Sequence, residues 1–205
     1  VWWVPRIAEC QPIAFGDAVE RVREKFLESI RLHLRSDVPL GAALSGGIDS
    51  SAVVCAIRHL EPDLPISTFS FIAAGSEVSE ESWVDRINQF VGATGHKVMV
   101  RPDELCRDLD DMIVVQGEPF GSTSIYAQYR VFRLAKECGV TVTLDGQGAD
   151  EMLAGYNGYP GQRIRSLLDR GHFVEAARFL NSWAGWPGRS KLEGLKRVVA
   201  EMAPE

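Results

Sequence analysis

Four short apolar runs, separated by amphipathic stretches of helical length, constrain this chain more than any other feature. Leu40 to Leu44, residues 66–72, His96 to Arg101 and Val140 to Leu144 read as strands. Between them the apolar period changes from that of a strand to that of a helix. Val19, Val22, Phe26, Ile30 and Leu34 share one helical face, and Asp17 with Glu20 makes a capping-box-like start. Asp49 to Leu60 forms the next helix. Ser79 is placed to cap a helix carrying Trp83, Val84, Ile87, Phe90 and Val91, stopped by Gly92 and Gly95. Asp103 to about Val115 turns Leu105, Leu109, Met112 and Ile113 inward, and Ile125 to Cys138 ends at Gly139. Strands alternating with such helices predict an α/β fold, a parallel sheet with helices on both faces.

The rest of the chain is organised around that core. Residues 1–36 read as an irregular lead-in, with Pro5 and Pro12, followed by a packing helix. Residues 37–157 form the sheet core. Residues 158–205 read as a partial helical C-terminal extension: short basic helical pieces near 160–170 and 173–183, then a weak tail. Trp183 and Trp186 are expected in its core.

Composition narrows the classes of function. Of 205 residues 45% are hydrophobic and 24% charged, which is ordinary globular usage. The net charge of -6 disfavours a nucleic-acid binder, which normally shows a basic face. No apolar run reaches the roughly 18 residues of a membrane span, so no membrane partner is expected. The start Val-Trp-Trp-Val-Pro is unlike a secretory signal. Cys10, Cys55, Cys106 and Cys138 are scattered without a C-x-x-C pair, and read as mostly buried thiols in a reducing, cytoplasmic compartment. His33, His59, His96 and His172 do not cluster and are assigned no role.

Parallel sheets bind ligands beyond the carboxyl ends of their strands. The loop after the first strand is Leu44-Ser45-Gly46-Gly47-Ile48-Asp49-Ser50-Ser51. Two glycines leave backbone N–H groups uncovered, the helix behind them adds partial positive charge, and three serines add hydroxyls. Such a loop is a nest for phosphate or pyrophosphate. A bare carboxylate would repel that ligand, so Asp49 reads as a magnesium ligand. The plainer alternative is a turn with Asp49 as a helix cap. The loop is not a Walker A sequence.

The loop after the fourth strand is Asp145-Gly146-Gln147-Gly148-Ala149-Asp150-Glu151, followed by Met152-Leu153-Ala154-Gly155-Tyr156. Both loops leave carboxyl ends of parallel strands, so Asp49 and Asp150 are expected to meet. Two adjacent carboxylates repel unless a cation lies between them. A helix-cap role for Asp150 and Glu151 is the alternative.

Ser45-Gly46-Gly47-Ile48-Asp49-Ser50 resembles the pyrophosphate-binding loop (PP-loop) of the ATP pyrophosphatases, the adenine nucleotide alpha-hydrolase-like fold. Gly146-x-Gly148-x-Asp150-Glu151 with Gly155-Tyr156 resembles the second motif of asparagine synthetases and their β-lactam-forming relatives. The likeness covers about residues 15–160. It implies an ATP site at Leu44, Ser45, Gly46, Gly47, Asp49, Ser50, Ser51, Phe71, Asp145 and Gly146. Thr68-Phe69-Ser70-Phe71 lies where that family holds adenine through the main chain. Glu118, Thr123, Ser124 and Tyr126 lie where it places its amino-acid substrate. Asp49, Gln147 and Asp150 take the catalytic positions, and Asp49 and Asp150 hold Mg²⁺. The implied reaction is adenylation of a side-chain carboxylate, most simply that of aspartate, with release of pyrophosphate. Ammonia then displaces AMP to give asparagine.

Three departures qualify that resemblance. The family's glutaminase domain, with its N-terminal cysteine, is expected to be missing from this chain, so ammonia has to come from elsewhere. Gln147 replaces an acidic residue of many relatives; it can hydrogen-bond but cannot act as a base. Tyr126 stands where well-known members carry an arginine for the substrate α-carboxylate. Tyr126 as helix packing, a different carboxylate acceptor, and a nucleotide-binding module without turnover are therefore the alternatives. Lys191 and Lys196, in the tail, read as solvated rather than as the family's distal phosphate lysine.

Overall fold

In the computed structural model the described residues are 13–73, 75, 79–122 and 124–202. The lead-in up to residue 12, with Cys10, and Thr123 lie outside them. The elements are α1 (Phe15–His33), β1 (Leu40–Ala43), α2 (Ile48–Leu60), β2 (Ser67–Phe71), α3 (Glu81–Val91), β3 (Thr94–Val98), α4 (Pro102–Gln116), α5 (Ser124–Glu137), β4 (Val142–Leu144), α6 (Ala149–Leu153), α7 (Tyr159–Asp169), α8 (Phe173–Ala184) and α9 (Lys191–Met202). The chain divides into two compact units, Val1–Gly146 and Gln147–Glu205.

The first unit holds a four-stranded sheet in the order β3-β2-β1-β4. Every pairing is parallel, with Gly41 beside Ser67, Leu40 beside Val142 and Ser67 beside Thr94. The order reverses direction between β1 and β4, so the loops after these two strands flank the switch point. Successive strand residues point to opposite faces, and each face has its own apolar cluster. Ala42 and Leu44 join Val53, Val54 and Ile57 of α2, Val84 and Val91 of α3, and Ile30 of α1. Phe69 joins Val131 and Ala135 of α5, with Ala43 and Phe71 beside them. The doubly covered parallel sheet expected from the alternating pattern is thus the observed one. Burying a side chain such as Leu44 contributes about 1.5–3 kcal/mol, so α2 and α5 are held by the sheet more than by their own propensity.

Several local expectations are corrected. The α1 helix starts at Phe15 behind Ala14, with no side-chain cap from Asp17. Val19 and Val22 are exposed, and the helix meets the core only through its later turns. Ser79 lies one position before the N-cap Glu80, and its hydroxyl only accepts a long 3.5 Å bond from Glu81 N–H. On α3, Trp83 and Phe90 face outward, and the inner polar position is Asn88, whose Oδ1 accepts from the Thr68 hydroxyl at 2.7 Å. Gly92 ends α3 with φ 64°, whereas Gly95 lies inside β3, which starts at Thr94. On α4, Leu109 and Ile113 are exposed, while Asp108 and Met112 are buried. Charge pairing at Asp108 overrides the apolar period there. Cys106 and Cys138 are exposed and Cys55 is half-buried, its thiol pushed up by burial.

The second unit packs α7, α8 and α9 around Ile164, Leu167, Ala176 and Val198. The tail is therefore a third helix. Trp183 is half-buried, with the Arg189 and Arg197 guanidiniums 5.1 and 5.7 Å from its ring centre. Trp186 is 71% exposed and takes no part in that core. Among the described residues, no helix is long and apolar enough to cross a membrane.

Candidate active site

The loop after β1 is fixed by its own atoms. Leu44, the last residue before it, is buried, and its N–H donates to Phe69 O at 2.9 Å. The Ser50 hydroxyl accepts from Ser45 N–H at 3.2 Å and donates to Gly47 O at 3.2 Å. It also lies 3.0 Å from Ser45 Oγ, which accepts from Gly47 N–H at 3.2 Å. Ser50 is only 7% exposed, so its hydroxyl tightens the turn instead of facing a ligand as the sequence suggests. Gly46 adopts φ 94°, and a Cβ there would stand 2.9 Å from Glu80 O. Only glycine meets both conditions without strain. Behind the turn, Gly47 N-caps α2 without a side chain. The first-turn N–H groups of α2 therefore stay available to an anion. Ser51 is half-buried and continues the helix, its N–H donating to Gly47 O at 3.1 Å.

Asp49 occupies the first turn of α2, half-buried. Among the described residues it forms no ion pair, and neither does Asp145 or Asp150. The loop after β4 reaches the same place from the neighbouring strand. A Cβ on Gly146 would lie 2.8 Å from Ser50 N and 3.2 Å from Asp49 Cβ. Asp145 is exposed directly before it. The structure thus brings together Leu44 to Ser51 with Gly146. Phe71 ends β2, half-buried, while Thr68, Phe69 and Ser70 are committed to the core.

In the second unit, Gln147 is exposed and Gly148, with φ 89°, opens α6. Asp150 is half-buried in its first turn and makes no side-chain cap. A Cβ on Gly155 would collide with the Asp150 carboxylate, so the Gly-Tyr of the motif lets the chain fold over Asp150. The Tyr156 hydroxyl donates to Glu151 at 2.7 Å and holds the Glu151 carboxyl below its ordinary value. Ala154 closes the helix at φ 58°, the one non-glycine residue with positive φ among those described. Such a conformation costs about 1–2 kcal/mol.

The segment that the sequence offers to an acceptor joins α4 to α5. Glu118 is exposed, and Ser122 Oγ lies 2.8 Å from Ser124 Oγ while accepting from Ser124 N–H. Thr123 is outside the described residues. Tyr126, placed by sequence beside the acceptor, is 5% exposed and faces α4. Its hydroxyl donates to Asp108 at 2.8 Å and accepts from Arg130 at 2.9 Å. Arg130 also donates to Asp108 at 3.0 Å, and Arg107 and Arg133 stand 3.6 and 3.7 Å away. The Tyr126 hydrogen bond, against the effect of burial and with help from Arg130, Arg107 and Arg133, holds the Asp108 carboxyl below its usual range. Burial pushes the Tyr126 phenol up. Neither Asp108 nor Arg130 stands out in the sequence; each looks like a solvated charge on an amphipathic helix.

A family model described as asparagine synthase matches residues 21–202. Glutamine-hydrolyzing asparagine synthetase 1 of Bacillus subtilis (strain 168) is 37% identical over 162 residues, 74% of this chain and 25% of that protein. A putative glutamine-hydrolyzing asparagine synthetase of Mycobacterium tuberculosis (strain ATCC 25618 / H37Rv) is 35% identical, with 100% of this chain and 35% of that protein aligned. The chain thus spans about a quarter to a third of the length of these relatives. Among solved structures, an NH3-dependent NAD synthetase from Campylobacter jejuni, in complex with the nitrate ion, is similar at TM-score 0.44 and 17% identity, covering 67% of this chain and 60% of that one.

Proposed function

This chain belongs to the asparagine synthase family, and from that premise we propose that it is the ATP-using part of a ligase that amidates a side-chain carboxylate. The single observation that carries the reading is the self-locked loop after β1, with Gly146 seated against it. It offers uncapped helix N–H groups to a phosphate chain and one unpaired carboxylate, Asp49, beside them.

In the proposed reaction the α-phosphate of ATP is attacked by a carboxylate oxygen of the acceptor, and pyrophosphate leaves. Ser45, Gly46, Gly47 and Ser51 with the first turn of α2 hold the pyrophosphate part. Leu44, Phe71, Asp145 and Gly146 border the nucleotide. The acyl adenylate is then attacked at its carbonyl carbon by ammonia; an amide forms, AMP leaves and a proton is released. Adenylation is needed because a carboxylate resists amines at neutral pH. The contribution of the chain is positioning and charge stabilisation. Gln147 takes part by hydrogen bonding only, since an amide has no base function near neutral pH.

Asp49 and Asp150 are the carboxylates this chain offers to Mg²⁺. Each is a half-buried carboxylate in the first turn of a motif helix with no ion pair among the described residues, which suits a hard cation with oxygen ligands. When bound, the ion supplies charge neutralisation for the pyrophosphate.

Aspartate is the acceptor proposed first, with Glu118, Thr123 and Ser124 on its segment. One observation favours a second carboxylate acceptor, as in β-lactam-forming relatives. The Tyr126 hydroxyl is already engaged by Asp108 and Arg130, so it offers little to an α-carboxylate. The test is pyrophosphate release from ATP by the complete protein, given ammonia and a panel of carboxylic acids. Acceptor-dependent pyrophosphate supports the reading, and release of ADP and phosphate instead would sink it.

A further inference from the structure

A short strap, described at residues 117–122 and 124, connects α4 to α5. The α4 side of this junction has little apolar anchorage. Met112 is its buried hydrophobic residue, whereas Leu109, Ile113, Val114 and Val115 face outward. What joins the two helices is polar. Tyr126 and Arg130 of α5 both donate to Asp108 Oδ2 of α4, at 2.8 and 3.0 Å. Arg130 stands 3.5 Å from Glu104, and the Tyr129 hydroxyl donates to Asp111. Beside this clasp is a cavity of about 200 Å³ bordered by Val98, Arg107, Asp108, Arg130 and Arg133. Such a volume admits several waters, at about 30 Å³ each.

We propose that Asp108 is a positioning residue for the acceptor: clasped by Tyr126 and Arg130, it fixes α4 against α5 and thereby the strap that carries Glu118, Ser122 and Ser124. The proposal rests on the functional reading above. Asp108 has no role in the chemistry itself; it acts through the strap. Tyr126 lies two residues into α5 from Ser124, so a change in its anchor reaches the strap within one helical turn. The 45–51 loop is closed by its own hydroxyls and does not depend on the clasp.

The experiment compares wild type with Asp108→Asn in the complete protein by hydrogen exchange and by kinetics. Asp108→Asn keeps the shape but removes the charge that Arg130 and Tyr126 address. Amide exchange across 117–124 is expected to rise about fivefold or more, with 45–51 unchanged, as a local opening requires. The KM for the acceptor is expected to rise about tenfold while the KM for ATP stays within about twofold, because small misplacements act on the displaced partner alone. Tyr126→Phe, a milder change that keeps the Asp108–Arg130 pair, is expected to move the same readouts in the same direction by less. Unchanged exchange at 117–124 in both variants would overturn the proposal. So would a rise shared by 117–124 and 45–51 with both KM values climbing together, which marks a general loss of fold. A wild-type protein that activates no carboxylate brings down the functional reading instead. That case is recognised because the exchange change at 117–124 persists without any acceptor kinetics.

Discussion

The loop after β1 and the strap after α4 belong to one proposed site and are built in opposite ways. The first is local: Ser45 and Ser50, five residues apart, close it with their own hydroxyls. The second is remote: its geometry depends on Asp108 and Tyr126, 18 residues apart and on different helices. A nucleotide's phosphates are the same for every acceptor, so a self-contained loop suffices. An acceptor site has to be adjustable, and a strap whose ends are tied by polar groups can be retuned without disturbing the sheet.

The largest effect expected from breaking the first region is on chemistry. Asp49→Asn should lower acceptor-dependent pyrophosphate formation by roughly 100-fold or more, the scale of lost charge stabilisation at a reacting phosphate. Asp150→Asn should do the same, and ATP affinity titrated against Mg²⁺ should shift in both variants. A magnesium dependence in Asp150→Asn equal to that of wild type would leave the second motif without a metal role.

Next in size is Gly46→Ala. The left-handed conformation costs an ordinary residue about 1–2 kcal/mol, and the new Cβ would press on Glu80 O at 2.9 Å. ATP affinity in calorimetry is expected to fall about tenfold or more, because the turn cannot keep its shape. The acceptor strap should show normal hydrogen exchange. Wild-type ATP affinity in this variant would show that the loop does not cradle the phosphates.

Ser50→Ala is a smaller change to the same loop. It leaves Ser45 N–H without its acceptor; Ser45 is exposed, so water relieves part of the about 1–3 kcal/mol that a buried group would lose. ATP affinity is expected to fall several-fold, by about one power of ten at most. The remote strap should again be untouched.

These two regions also separate what sequence shows from what it hides. The strands, the helices on both faces and the glycine-rich turn follow from periods and residue types within a few positions, so they were readable. The inward side of α4 was not. An apolar period placed Leu109 and Ile113 inside, but Asp108 is buried there because three arginines and a tyrosine converge on it. Arg107 is its neighbour on α4, but Tyr126, Arg130 and Arg133 come from α5, whose approach no local pattern encodes. For the same reason Tyr126 looked like an acceptor contact, and the inward turn of the Ser50 hydroxyl was invisible. The α9 helix was missed because its half-buried face is short and its exposed leucines resemble a tail.

The smallest expected effect concerns the clasp and pH. The Asp108 carboxyl is held below its ordinary value, chiefly by Tyr126. Its stabilisation is therefore fully present above the unfolded value of about 3.9. It is lost as pH falls through the lower, folded value. Urea melts between about pH 5 and pH 3 should lose stability more steeply in wild type than in Asp108→Asn. Above about pH 5 the difference between the two should be constant. Parallel curves throughout would show that the clasp carries no ionised Asp108.

The central claim, that a carboxylate is activated by transfer of the adenylyl group of ATP with loss of pyrophosphate, has a direct test. The complete protein is incubated with ATP, Mg²⁺, ammonia and aspartate labelled with ¹⁸O in its side-chain carboxylate, and the AMP is analysed by mass spectrometry. One ¹⁸O atom in the AMP phosphate is the predicted result, because the attacking oxygen stays with phosphorus when the amide forms. If aspartate is not the acceptor, the same label in another carboxylic acid of the panel must appear in AMP. Label in inorganic phosphate, or AMP formed without label from any acid tested, would contradict the account.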